Sequence, residues 1–447
     1  MTKRPTGPAS SNRKVLARHT TTLALATALT TATALGAYAQ DISFWTQPQG
    51  DLLAYQDLFD ELTSEFRDES GINVSVEVIN WSVAFNTWLT VAQGGAAPDC
   101  ADMYWLHSFS GIGAGRFGPM PITEYRDRWP TLEADFYEGA LEDVHRNGEF
   151  YGIPWRVDIR PMMYRTDFLA EAGIDAPPDN WKEIVEQGLA LTERDANGNV
   201  TRWGFAPGAN NNPGQTLMPY YWQAGGLMMS EDGRTATIDN EAMRTTLKFM
   251  QDLVQVHKIT SPEVFEKSAD PLADFTSGSV AIIGSTNNSW PSQFDRDYAE
   301  LEGTWALEIN PAGPTGERDS FSGAGYWGVL YGSSDVEACL DWIEFLSQPE
   351  HMERISEVSG AANPRRSVMS SALWTQRPWQ EVMAETLNYG HTSQHPSAVW
   401  NAIASPEPGA VLYDLVYNTV IGGADIDAAV TEAQARMQAE LDRASGN

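Results

Sequence analysis

The chain has 447 residues, with 60 Asp and Glu against 29 Lys and Arg, and a formal charge of −31. That length allows two or three domains. The charge argues against nucleic acid or an anionic membrane as partner, because both are densely negative. Cys100 and Cys339 are the only cysteines and have no histidine cluster beside them, which excludes a structural zinc site.

Residues 1–39 read as a targeting segment. Lys3, Arg4, Arg13, Lys14 and Arg18 precede any acid, Leu23–Ala37 is rich in Ala, Thr and Leu, and Ala37-Tyr38-Ala39 fits a small-x-small cleavage pattern. The apolar run falls short of the roughly 20 residues that span a bilayer. Cleavage is expected near Ala39, and no cysteine follows to carry a lipid, so the expectation is a soluble periplasmic protein. Losing the leader takes away five positive charges and no acid, moving the formal charge from −31 to −36. Export makes a disulfide feasible. Two lone cysteines in separate apolar segments nevertheless fit buried small hydrophobes better.

Asp41–Trp45 is read as a strand. Tyr55, Leu58, Phe59, Leu62 and Phe66 recur at helical spacing within Asp51–Glu69, and Gly71 ends that helix. Ile72, Val74, Val76 and Val78 alternate as a strand. Ser82–Gln93 is a helix, and Cys100–Trp105 is a third strand. This β-α-β-α-β order implies a parallel sheet covered by helices. Asn147-Gly148 is a tight hairpin turn. Tyr151–Pro154 is extended, since the residue before a proline avoids the helical region. Pro161–Tyr164 has strand length, Thr166 or Asp167 can cap a helix ending at Gly173, and Trp181 opens another helix. Further helices are expected over Trp181–Thr192, Asn240–His257 and Asp270–Ser277, with turns at Asp195–Gly198 and Glu231–Gly233. Val280–Ile283 is a buried strand, Thr304–Asn310 is extended, and Gly328–Tyr331 and Val336–Leu346 are strand and helix. The remainder is mostly helical, ending in Ile426–Arg443.

Gly148-Glu-Phe-Tyr151-Gly-Ile-Pro154, then Tyr164-Arg-Thr-Asp167 leading to Ala172-Gly-Ile174, then Pro177-Pro178-Asp-Asn-Trp181 carry a family pattern. They resemble the hinge crossing of the extracytoplasmic solute-binding proteins of carbohydrate ABC transporters, family 1, the maltose-binding-protein-like branch. Asn180 stands where that pattern has Thr, and Asn also caps helices. The resemblance spans essentially all of the chain after the leader. It implies an α/β fold of two lobes, with multiple hinge crossings and a helical C-terminal part. The implied division is residues 40–154 and 306–347 in the first lobe, and 155–305 and 348–447 in the second. Rotation is expected near Trp155 and Ile309.

Competing chemistries fare poorly. Gly113-Ala-Gly-Arg-Phe-Gly118 matches a dinucleotide fingerprint, but it does not follow a strand directly and Pro119 and Pro121 block the helix it should open. Asp195-Ala-Asn-Gly198 lacks the ligands of a calcium loop. His107-Ser108 has neither a nucleophile elbow nor a visible relay. Sixty acids make chance carboxylate pairs inevitable, so composition gives no support to a secreted carbohydrate-active hydrolase. No cofactor, metal or catalysis is expected.

Sugar rings have apolar faces and polar edges, so a binder needs flat aromatics and planar polar groups. Trp45, Trp105, Trp155, Trp290 and Trp327 lie where strands end, the usual ligand crevice of open α/β sheets. The family resemblance implies contacts from Thr46 and Gln47 after the first strand, from Trp105, His107 and Ser108 after the third, and from Asp158 past the hinge. It also implies Thr286, Asn287 and Trp290 in a later loop, Gly325, Tyr326 and Trp327, Arg365 in a Gly-x-x-Pro-x-Arg-like segment, and Tyr413 on a late helix. The implied ligand is a sugar, polyol or small glycoside, delivered by a monomer to permease subunits of an ABC importer. Arg156, Arg160 and Arg365 leave an anionic sugar derivative, sulfonated or phosphorylated, as an alternative.

Overall fold

The computed structural model describes residues 41–444 apart from 93, 95, 104–117, 147, 210–211, 231, 267 and 392–398. Strand β1 (Asp41–Thr46) turns Ile42 and Phe44 into the core. Helix α1 (Leu52–Ser70) starts where the Asp51 carboxylate accepts from Ala54 N at 2.8 Å. It ends at Gly71 with φ +79°, a conformation open to glycine at no steric cost. Its apolar face is the expected set, Tyr55, Leu58, Phe59, Leu62 and Phe66, all buried. Strand β2 (Asn73–Val78), helix α2 (Trp81–Ala92) and strand β3 (Cys100–Asp102) follow, with β2 and β3 parallel to β1 on either side.

Short helices α3 (Leu132–Asp135) and α4 (Glu138–Asp143) lead to the hairpin β4 (His145–Arg146) and β5 (Glu149–Phe150), which turns at Gly148 with φ +80°. Strand β6 (Ile153–Ile159) then leaves the first sheet for β7 (Met162–Arg165). Helix α5 (Thr166–Glu171) lacks the expected side-chain cap, because Asp167 forks with Arg165 and Thr166 Oγ1 donates to Gly303 O. Helix α6 (Trp181–Leu191) is capped by Asn180, which accepts from Glu183 N at 3.1 Å. The hairpin β8 (Glu193–Arg194) and β9 (Val200–Arg202) precedes helices α7 (Pro213–Gln223), α8 (Glu241–Gln255) and α9 (Pro271–Thr276). Strands β10 (Ile282–Ile283) and β11 (Trp305–Glu308), separated by α10 (Trp290–Asp297), flank β7 antiparallel and complete the second sheet.

The chain returns through β12 (Ser320–Val329), the longest strand among the described residues. It pairs antiparallel with β6 over most of its length and with β3 at its end. The sequence pattern marks only Gly328–Tyr331 as strand, because Ser322-Gly-Ala-Gly325 has the composition of a loop. Helices α11 (Val336–Leu346) and α12 (Pro349–Ser359) follow, and α12 lies on α1, where Arg354 pairs with Glu61 and Glu65. Helix α12 thus belongs with the first sheet, although the sequence division starts the second lobe at residue 348. Likewise β6 stays in the first sheet as far as Ile159, beyond the expected change at 154–155. Short helices α13 (Arg366–Met369), α14 (Ala372–Thr375) and α15 (Gln380–Thr386), strand β13 (Gly390–His391), and helices α16 (Val399–Ala404), α17 (Val411–Val416) and α18 (Ile426–Ala444) end the chain. The last three pack on each other, on α7 and on α8, adding a helical part to the second lobe. Among the described residues no helix is long and apolar enough to cross a membrane.

Cys100 and Cys339 are bridged, with Cα atoms 6.0 Å apart and a sequence separation of 239. This corrects the expectation of two unpaired buried thiols: β12 brings α11 back onto β3, which spacing along the chain could not reveal. Closing so long a loop restricts the unfolded chain, so removing the bridge should cost about 2–5 kcal/mol. Denaturant titration of the Cys100→Ala/Cys339→Ala double variant should show that loss as a lower midpoint; an unchanged midpoint would mean the bridge adds nothing.

Asp99 fastens the same region. Its carboxylate accepts from Ser43 N at 2.8 Å, Ser43 Oγ at 2.7 Å, Ser334 N at 2.6 Å and Ser334 Oγ at 2.7 Å. Burial alone would raise this carboxyl; the hydrogen bonds from Ser334 and Ser43 more than offset it and hold the group below the usual range. A depressed folded-state value stabilises fully above the unfolded carboxyl's pKa, about 4, and is lost as pH falls through the lower folded value. Thermal melts from pH 7 to pH 2 should therefore drop on the acid side. Asp99→Asn should melt lower at pH 7 and show a shallower acid limb; an identical limb would assign the acid loss elsewhere.

Candidate functional site

Strands β1, β3 and β6 run in one direction; β1 and β3 end at one edge of the first sheet, where Asp102 is level with Ile153 at the start of β6, and β6 runs on past that edge to Ile159. That edge faces the second sheet, because β6 continues into β7 and β12 arrives there from β11. From the other side, the segment after β10 meets the same junction: Thr286 N donates to Pro161 O at 2.9 Å and Asn288 Nδ2 to Val157 O at 3.4 Å. Loops from both sheets thus converge on the two crossings, the place where an open α/β sheet holds a ligand.

On the first-lobe side Thr46, Gln47 and Gln49 are buried, and Thr46 Oγ1 lies 3.0 Å from Tyr55 OH. Burial, and then the nearby Asp102 carboxylate, push the Tyr55 hydroxyl well above its ordinary value, so it stays protonated. Trp81 Nε1 donates to Pro48 O at 2.6 Å. The Arg156 Cζ lies over two indole rings, 5.8 Å from the Trp81 ring centre and 5.3 Å from that of Trp155. Its Nη2 is 3.9 Å from Asp102 Oδ2, and both side chains are fully buried. Trp155 stacks on Trp327 with ring centres 5.5 Å apart and planes within 1°. The Nε2 atoms of Gln47 and Gln49 and the Nε1 atoms of Trp155 and Trp327 are buried without a hydrogen-bond partner among the described residues.

At the crossing Asp158 receives a two-pronged bond from Arg160, Nε to Oδ1 at 3.2 Å and Nη2 to Oδ2 at 2.7 Å. Among the described residues no group of His, Cys, Asp and Glu is placed to hold a metal ion.

The family model of the bacterial extracellular solute-binding proteins matches residues 45–353. The chain belongs to that family. Among its relatives, the arabinooligosaccharide-binding protein of Halalkalibacterium halodurans is 26% identical over 350 residues, covering 76% of this chain and 74% of the relative. The erythritol/L-threitol-binding protein of Mycolicibacterium smegmatis is 22% identical over 340 residues, covering 71% and 69%. A solute-binding protein of Thermotoga lettingae bound with α-D-tagatose has the same fold, with TM-score 0.75 at 18% identity over 90% of this chain and 100% of that one.

Within this solute-binding protein the expected site residues separate into groups. Gly325 faces Arg156, Trp327 stacks on Trp155, Tyr326 O accepts from Met103 N at 2.8 Å, Thr46 and the buried Gln47 follow β1, and Asp158 lies at the crossing. Thr286 is buried at the junction, its Oγ1 3.8 Å from Met163 Sδ. Asn287 is exposed, and its Oδ1 accepts from Ser289 N and Oγ in a local turn. Trp290 is buried at the start of α10. Tyr413 stacks on Tyr417 at 5.9 Å, on a helix that rests on α7 through Leu412 and Gly214. The structure does not bring Arg365 into the group. Its Nε donates to Asp135 Oδ2 at 2.6 Å and Nη1 to Ser347 O, bracing α3 against the segment after α12. Trp105, His107 and Ser108 lie outside the described residues. Sequence reasoning did not single out Tyr55, Trp81 or Asp102 for the site, nor Gln215, whose Oε1 accepts from Arg160 Nη1 at 3.2 Å, since each carries an ordinary core or surface signal.

Gly325 has a specific task here: a Cβ on it would come within 2.6 Å of Arg156 Nε and 2.9 Å of Cζ. Gly325→Ala should displace the guanidinium from its seat and cost about 1–3 kcal/mol as an overpacking defect. A thermal melt within a degree of the parent would show that Arg156 moves aside freely.

Proposed function

We propose that this solute-binding protein captures a neutral sugar, polyol or small glycoside between its two lobes and hands it to the permease subunits of an ABC importer, without catalysis. The observation that carries the ligand class is charge pairing. Each arginine that made an anionic ligand conceivable has its own acid: Arg156 beside Asp102 at 3.9 Å, Arg160 on Asp158 at 2.7 Å, Arg365 on Asp135 at 2.6 Å. An anionic ligand would meet neutralised cations in a strongly acidic protein, whereas hydroxyls find aromatic faces and oriented donors. Two relatives are named for binding arabinooligosaccharide and erythritol or L-threitol, and one structural neighbour holds α-D-tagatose, which points the same way.

In this reading Thr46, Gln47, Asp158, Thr286, Asn287, Trp290, Gly325, Tyr326, Trp327 and Tyr413 line or frame the ligand cleft, together with Trp105, His107 and Ser108. Arg365 braces the frame. The lobes divide at Arg160–Pro161, in the segment 309–319, and after α12. Closure rotates the lobes about these crossings, and ligand favours the closed form through its extra contacts to the second lobe. The protein is exported by the leader, cleaved near Ala39 and acts as a periplasmic monomer.

Thermal-shift screening over neutral sugars, polyols and sugar acids, with product analysis of each mixture, tests the proposal. A shift with neutral compounds and no turnover is expected; turnover, or a shift restricted to the acids, would sink it. Asp158→Ala should weaken the best neutral ligand by about 10–100-fold, as loss of a charged hydrogen-bond acceptor does, while the unliganded protein stays folded. Calorimetric titration of variant and parent reads this directly, and equal affinities would remove Asp158 from the site.

A further inference from the structure

Three chain segments meet on one side chain. The Arg160 guanidinium forks onto Asp158 at 3.2 and 2.7 Å, and its Nη1 donates to Gln215 Oε1 at 3.2 Å on the first turn of α7. Its Cζ lies 4.2 Å from the ring centre of Phe321 on β12. The backbone is fastened too, since Arg160 N donates to Ser320 Oγ at 3.3 Å and that hydroxyl is 3.0 Å from Arg160 O. Arg160 therefore touches the outgoing crossing, the return crossing and a second-lobe helix at once, and is itself buried.

We infer that Arg160 is a positioning residue that couples Asp158 to lobe closure; the inference rests on the proposed ligand contact of Asp158. A bidentate fork fixes the plane of a carboxylate while using one lone pair on each oxygen, leaving the others for hydroxyl donors. Without the fork, Asp158 regains rotamer freedom near the end of its strand. The third arm supplies the coupling. Gln215 belongs to α7 and moves with the second lobe, whereas Asp158 is held in the first sheet by pairing with Gly323. Rotation about Arg160–Pro161 must stretch or relax the bond to Gln215, so the hinge angle and the orientation of Asp158 share one guanidinium. A ligand hydroxyl on Asp158 then biases the hinge, and the hinge biases affinity, by the same factor.

A purely structural ion pair would move stability alone, and the experiment separates the two roles. Arg160→Lys keeps the charge but loses the fork and the flat contact with Phe321. Arg160→Met keeps only the stem, and Gln215→Leu removes only the second-lobe arm. The probes are an arabino-oligosaccharide, D-tagatose and erythritol, using whichever binds the parent tightest. Affinity is read by calorimetry, and closure by the ligand-induced fall in radius of gyration in solution scattering. Both Arg160 variants should weaken binding by about tenfold or more, about 1.4 kcal/mol or above. Lys should not restore it. Gln215→Leu should reduce the ligand-induced compaction and the affinity together. Arg160 variants that melt lower yet bind like the parent, or a Gln215→Leu protein with parental compaction and affinity, would overturn the coupling. Should Arg160→Met fail to fold, Arg160→Lys and Gln215→Leu decide. Loss of affinity in Asp158→Ala with none at Arg160 or Gln215 defeats this inference alone. Parental affinity in Asp158→Ala, or no probe binding to the parent, defeats the ligand assignment and this inference with it.

Discussion

The antiparallel pairing of β6 with β12 is the constraint on which the rest depends. Ile153 to Ile159 run outward while Ser322 to Trp327 run back, residue against residue, with a single irregularity between Gly325 and Tyr326. Two separate strings between lobes would twist independently. Because β6 and β12 are paired as far as Ile159 and Ser322, the two crossings leave the first sheet side by side, which restricts the path along which the lobes open. The same pairing brings α11 back to β3, which lets Cys100 reach Cys339. It also fixes Arg156 opposite Gly325, where the missing side chain becomes the seat of a guanidinium.

Burying cations at such a junction has a cost. Taking an ion out of water costs several kcal/mol even after relaxation, and a nearby countercharge with good geometry offsets it. The three arginines meet this in different ways. Arg160 and Arg365 make close contacts to carboxylates, at 2.7 and 2.6 Å. Arg156 sits 3.9 Å from Asp102, over two indole rings that favour a cation through their quadrupoles. The first two geometries lock parts of the frame together. The third pair is more widely spaced, and its guanidinium is the most buried of the three.

Much of this frame was legible in the sequence wherever a local signal coincides with a global one. Asn180, Asn240 and Gly71 stand at helix boundaries because capping chemistry is local. The alternation of β-α-β-α-β pointed to the parallel sheet because hydrophobic periodicity records which face is buried. Legibility fails where the deciding partner is distant. Nothing near Ser322–Gly325 signals a strand, since Gly325 answers to Arg156 on the distant β6. Nothing near Arg365 distinguishes a ligand fork from a bond to Asp135, 230 residues away. Arg160 was half legible: its spacing of two from Asp158 puts both on one face of a strand, but the third partner, Gln215, comes from another element.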